Sequence, residues 1–177
     1  MAYQSLDLTL SPDSDDAIRA GWEAVTALGV PSEGGRTSDS HRPHLTLLAA
    51  PTMGPELLDL AVRRIRPLLP LRIALGAGVV FGHGPFVAAH LAVIPPSLGL
   101  IEQELRRHLL PRQTGAQSDS SGQPARDWIA HLTLSKKVPI DRLGEVMQAV
   151  RQHRPSFVQI DHLRHWDPAC RVVTTLV

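Results

Sequence analysis

Two four-residue strings in this chain have the types and spacing of a catalytic pair: His44-Leu45-Thr46-Leu47 and His131-Leu132-Thr133-Leu134. Composition alone gives about 0.01 expected copies of such a string, so two copies are not an accident of a leucine-rich chain. On a strand, alternate side chains share a face. Each His and its Thr therefore project together while the Leu residues anchor the strand behind them. An imidazole with an ordinary pKa near ~6.5 can give or take a proton at neutral pH. One His acting as base on an attacking oxygen, and the other as acid on a departing one, is what cleavage of a phosphodiester requires. The two Thr hydroxyls supply donors for the non-bridging oxygens. The chemistry calls for no metal or other cofactor. A single such His is as often a surface or structural residue as a catalytic one; the repetition argues for function.

The elements that must position these residues are legible from periodicity. Leu6, Leu8 and Leu10 alternate with Asp7 and Thr9, predicting a strand over Tyr3–Leu10. Ser11-Pro12-Asp13 opens a helix continued by Ile18, Trp22, Val25 and Leu28. Residues 29–43, rich in Gly, Ser and Pro, read as a mobile loop before a short strand at His44–Leu48. A helix follows from Gly54-Pro55 to about Leu68. Two strands, Leu71–Phe81 and Phe86–Ile94, meet at Gly82-His83-Gly84-Pro85, and a third helix begins at Pro95-Pro96. After a polar loop over Pro111–Asp127 come a strand at Ile129–Ser135, a helix from Ile140 to about Gln152, and strands near Phe157–Trp166 and Val172–Val177.

His131 follows His44 by 87 positions. The same offset carries the loop at 29–43 onto 116–130 and the strand at 71–81 onto 158–168. An internal duplication is expected, with approximate repeats 1–81 and 86–177 in one bilobal α+β domain spanning 1–177. Each lobe would offer one strand and one loop to a cleft between them.

The remaining composition narrows the setting. The chain has 177 residues, a net charge of +1 and one cysteine, Cys170. No internal disulfide or cysteine zinc cluster can form, which fits a reducing cytoplasm. No apolar stretch is long enough to span a bilayer, and no secretory signal is expected. The absence of a basic stripe argues against a grip on long duplex and favours recognition at a nucleic-acid end. As metal pairs, His41/His44 and His162/His165 chelate poorly on a strand, where i and i+3 face opposite ways, although His41 sits in a loop and leaves the first pair open. Gly76 and Gly78 within a strand suggest a bulge or close packing.

The paired motifs, with Pro43 before the first and the segment Val80–Leu98 between them, resemble the 2H phosphoesterase superfamily, which includes bacterial RNA 2′,3′-cyclic phosphodiesterases, also called 2′-5′ RNA ligases. The resemblance covers essentially the whole chain and rests on eight motif positions. It implies two pseudo-symmetric lobes of antiparallel sheet forming a V-shaped cleft with helices on the outside. It also implies His44 as proton donor to the leaving oxygen, His131 as proton acceptor from water, and Thr46 and Thr133 as phosphate ligands. Residues alone do not separate donor from acceptor. Ala130 stands where the family usually has Pro, and Lys136-Lys137 where relatives often carry Arg, and both bear on substrate preference.

Arg42, Arg126, Lys136 and Trp128 are candidates for contact with substrate. Strand alternation sets Lys136 opposite Ser135, which favours solvent for its ammonium, and core packing is the commoner role for Trp128 and Phe86. The expected activity is hydrolysis of a 2′,3′-cyclic phosphate at an RNA 3′ end to a 2′-phosphate by a monomer, with reverse 2′-5′ ligation at the same site. Alternatives are the same chemistry on a small cyclic nucleotide or cyclic ADP-ribose phosphate, and a non-catalytic RNA-end-binding module.

Overall fold

The leucine alternation of the N-terminus does form a strand, and the computed structural model shows what it pairs with. The structure describes residues 3–36, 38, 41–109 and 128–177. Strand β1 (Gln4–Leu10) leads into helix α1 (Pro12–Ala27), where Pro12 sits in the first turn and Asp13 and Asp15 complement the helix dipole. Ile18, Trp22 and Val25 form its buried stripe. Next come β2 (His44–Ala50), α2 (Pro55–Ile65), β3 (Leu71–Phe81) and β4 (Phe86–Val93). They are followed by α3 (Pro96–Leu109), β5 (His131–Val138), α4 (Leu143–Gln152), β6 (Phe157–Asp167) and β7 (Val172–Thr175). The second and fourth helices are each one turn shorter than the periodicity predicts, because Arg66–Leu68 and Ile140–Arg142 are 3-10 turns. Pro67, in the first of these, has no N–H to continue the α-helical ladder.

The described strands form one seven-stranded antiparallel sheet in the order β1-β2-β5-β4-β3-β6-β7, with β1 also paired to β6. This differs from the expected pair of sheets with one repeat in each. The hydrogen bonding crosses the boundary between the approximate repeats: β6 lies beside β1 through Asp7 opposite Arg164, and β3 lies beside β4 through Gly78 opposite His90. The element order is nonetheless strand-helix-strand-helix-strand twice over, before β7.

Helices pack on one face of the sheet over Leu6, Leu8, Leu45, Leu47, Leu132, Leu134 and Ile160, all at most 1% exposed. Close approach explains Gly78. A β-carbon there would stand 2.8 Å from Met147 Cε and 3.1 Å from Val150 Cγ1 of α4, and β3 shifts register against β4 between Leu75 and Gly78.

Both motif strands run two to three residues beyond their predicted ends, for the same reason. Opposite β1, Leu6 pairs with Leu48 and Asp7 with Thr46, leaving Leu47 as an extra residue. Opposite β4, Ala88 pairs with Ser135 and Ala89 with Thr133, leaving Leu134 extra. A bulge at the fourth motif position reverses the alternation beyond it. Leu47-Leu48 and Leu134-Ser135 are buried in succession, which a strict period of two reads as the end of a strand.

Candidate active site

The two motif strands are neighbours. β2 and β5 pair antiparallel through Leu45 opposite Leu132. In that register His44 falls beside Thr133 and Thr46 beside His131, all four on the face away from the helices. The histidines then occupy a diagonal of the pairing, within reach of one another for long side chains.

Both imidazoles are held alike. His44 Nδ1 donates to the Arg42 carbonyl at 2.7 Å, and His131 Nδ1 donates to the Ile129 carbonyl at 2.7 Å. A carbonyl only accepts, so each Nδ1 carries a hydrogen and each Nε2 is the nitrogen turned from that carbonyl. Neither Nε2 has a partner among the described residues. Each motif strand is also tied by a tryptophan from elsewhere in the chain. Trp22 Nε1 donates to the Thr133 carbonyl at 3.0 Å, and Trp128 Nε1 donates to the Thr46 carbonyl at 3.1 Å. Trp128 therefore packs against the core and braces the motif. Phe86 likewise packs on the core.

The surroundings of the two threonines differ. Thr46 Oγ1 donates to Asp7 Oδ1 at 3.1 Å, and Asp7 is in turn paired with Arg164 at 3.3 Å, both nearly buried. The single hydroxyl proton of Thr46 is thus committed, while that of Thr133 meets no acceptor among the described residues. Among the described residues no equivalent charge pair stands behind Thr133, which lies opposite Ala89. His131 has instead the ring of Phe81 at 4.7 Å.

On the His44 side lies a cavity of about 240 Å³, lined in part by Arg36, His41, His44, Lys136 and Arg164; His131 and the threonines are not in its wall. Part of its wall comes from the segment 29–43, expected to be mobile, whose described residues Pro31, Ser32 and Glu33 are anchored. Ser32 Oγ donates to the Trp22 carbonyl at 2.9 Å, Ser135 Oγ bonds the Pro31 carbonyl, and Glu33 in the 3-10 turn Glu33–Gly35 is 5% exposed. The Glu33 carboxylate meets Lys136 at 3.2 Å, His41 at 3.3 Å and Arg36 at 3.5 Å. His41 also stacks on Trp22 at 5.1 Å. Burial lowers the His41 pKa below the ordinary value, against the opposing pull of Glu33.

Lys136 is the clearest departure from the sequence reading, which gave its ammonium to solvent. The bulge at Leu134 turns Ser135 into the core and returns Lys136 to the face of His131 and Thr133. Arg42 pairs with buried Asp15 of α1 at 3.1 Å. Arg126 lies outside the described residues. Glu33, Asp7, Arg164 and Phe81 were not singled out by sequence reasoning. Asp7 carried a usable signal, an acid between buried leucines on a strand, but it reads equally well as the solvent side of a one-faced sheet.

A family model described as the 2'-5' RNA ligase superfamily matches residues 14–169. The chain belongs to this superfamily. Two solved structures share the fold at 16% identity: Kluyveromyces marxianus Usb1, with TM-score 0.53, and the same protein with uridine monophosphate, with TM-score 0.56. Each comparison covers 98% of this chain and 97% of the other. No curated protein sequence matches the chain. Membership makes it one of the 2H phosphoesterases, which act on phosphodiester bonds. Among the described residues no helix is long and apolar enough to cross a membrane.

Proposed function

We propose that this superfamily member is a metal-independent phosphodiesterase that opens a 2′,3′-cyclic phosphate at an RNA 3′ end to a 2′-phosphate, with 2′-5′ ligation as the reverse reaction. The observation that carries the reading is the pairing of Leu45 with Leu132, which brings both His-Leu-Thr-Leu strings to adjacent strands with both Nδ1 atoms occupied. In this reading the repeats are related by a pseudo-twofold axis near that pair, and the site lies in a V-shaped cleft of one bilobal domain. His131 Nε2 takes a proton from water as the water oxygen attacks phosphorus. The P–O3′ bond breaks, and His44 Nε2–H protonates O3′ as it leaves. Thr133 donates to a non-bridging oxygen, and Thr46 does so when its proton leaves Asp7. That a structure of this fold accommodates uridine monophosphate supports a nucleotide ligand. We also propose a monomer acting in a reducing cytoplasm, where exposed Cys170 remains a thiol.

The test is turnover of a cyclic-phosphate-ended oligonucleotide with EDTA present. Full activity is expected, along with a bell-shaped rate–pH profile, since one imidazole must be charged and the other neutral. His44→Ala and His131→Ala should each cut the rate by roughly 10²–10⁴-fold without unfolding the chain, as both rings are only half-buried. Binding of nucleotides with no turnover of any cyclic phosphate would overturn the reading.

A further inference from the structure

Burying a carboxylate is costly, and Glu33 is buried beneath groups that contribute little to the fold in return. The side chains of Lys136 and Arg36 are 51% and 62% exposed, and ion pairs to such long, hydrated cations add little stability. What Glu33 does achieve is to hold both cations over one cavity beside His44. Two of the lining cations, Arg36 and Lys136, share the one carboxylate of Glu33. His41, whose pKa burial lowers, adds no charge near neutrality. Among the described residues that cluster carries one positive charge more than its carboxylate balances, and it stands beside His44.

The reaction geometry says what falls there. The oxygen protonated by the acid is O3′ of the terminal ribose, which stays bonded to phosphorus through O2′, so that ribose and whatever is attached to its 5′-oxygen lie on the acid's side of the phosphorus. Water enters from the other side, where Phe81 covers His131. We infer that the cavity bounded by His44, Arg36 and Lys136 is a second phosphate subsite, taking the phosphate on the 5′-oxygen of the terminal nucleotide. The substrate is then an RNA strand, whose last internucleotide diester carries that phosphate, and a nucleoside cyclic phosphate lacking it binds less well. Glu33 is the positioning residue that holds the subsite's cations. This inference deepens the function proposed above and takes its direction, acid on the ribose side, from that reading.

Affinity decides the subsite independently of turnover. Wild type is titrated with a nucleoside 3′-monophosphate and with the corresponding 3′,5′-bisphosphate, and then Lys136→Ala, Arg36→Ala and Glu33→Gln are titrated with both. The bisphosphate should bind at least about tenfold more tightly to wild type, with the advantage shrinking as salt rises. In the variants the ratio should fall towards one. Lys136 and Arg36 are exposed enough that their variants fold even where Glu33→Gln does not. No advantage in wild type, or one that survives in both the Lys136 and Arg36 variants, overturns the subsite. Rates for a nucleoside 2′,3′-cyclic phosphate, its 5′-phosphorylated form and a dinucleotide 2′,3′-cyclic phosphate then separate the sources. The dinucleotide should be at least as good as the 5′-monoester; a clear preference for the monoester overturns the strand assignment. If none of the three is turned over while the affinity ratio holds, the hydrolase reading falls and the phosphate subsite stands.

Discussion

At the scale of single residues, two threonines that are identical in motif are unequal in structure. The Thr46 hydroxyl proton lies on Asp7, whose other oxygen is held by Arg164, whereas the Thr133 hydroxyl has no such acceptor among the described residues. Replacing each by valine should separate their roles. Thr46→Val leaves Asp7 Oδ1, in a nearly buried residue, without its donor, and should cost about 1–2 kcal/mol of stability as well as activity. Thr133→Val removes a donor free to meet the phosphate and should lower the rate with little change in stability. Urea unfolding together with steady-state kinetics on both variants checks this; equal stability losses would mean that the Asp7 contact does not set Thr46 apart. The motif letters single out four candidate side chains, and the sequence stops there. Asp7 and Arg164 are brought together by β1 pairing with β6, from the two ends of the chain, and no local pattern reports that contact.

At the scale of elements, the predicted strands and helices are found, with small shifts at their ends, but the bulges were hidden. Leu47-Leu48 and Leu134-Ser135 carry no glycine to mark an irregularity, so periodicity ended both strands early and sent Lys136 to the wrong face. The braces on these strands were hidden too. Trp22 reads as the core stripe of a helix, which it is, and its second task appears only once α1 packs on β5. Trp22→Phe and Trp128→Phe keep the ring and remove one hydrogen bond to a motif carbonyl, costing about 1 kcal/mol each. If these bonds place the motif strands, each variant should also lower kcat several-fold with KM nearly constant, because the position of an acid or base matters most at the transition state. Unchanged kcat in both would assign the indoles to packing alone.

At the scale of the whole molecule, one sheet separates two environments: a polar face with the motif side chains and an apolar face under the helices. His90 is the exception. It lies opposite Gly78 and Leu132 beneath α4, fully buried, with neither ring nitrogen hydrogen-bonded. Desolvation foremost, with the Arg154 charge added, lowers its pKa to about 4. Between about pH 4 and 6.5 the unfolded chain therefore binds a proton that the folded chain excludes, so stability rises with pH across that window and falls as pH drops through it. The contribution is fully present above the ordinary imidazole pKa and is on the order of 3 kcal/mol. His90→Leu keeps an apolar side chain of similar size in the seam and removes two unsatisfied nitrogens. It should be at least as stable as wild type at pH 7, and the two proteins should diverge on acidification, with the variant losing less. Urea midpoints at pH 7, 5.5 and 4.5 measure the difference directly. Other carboxylates contribute equally to both proteins and cancel in it, so parallel pH profiles would show that the buried ring is not what ties this fold's acid stability to the seam behind its active strands.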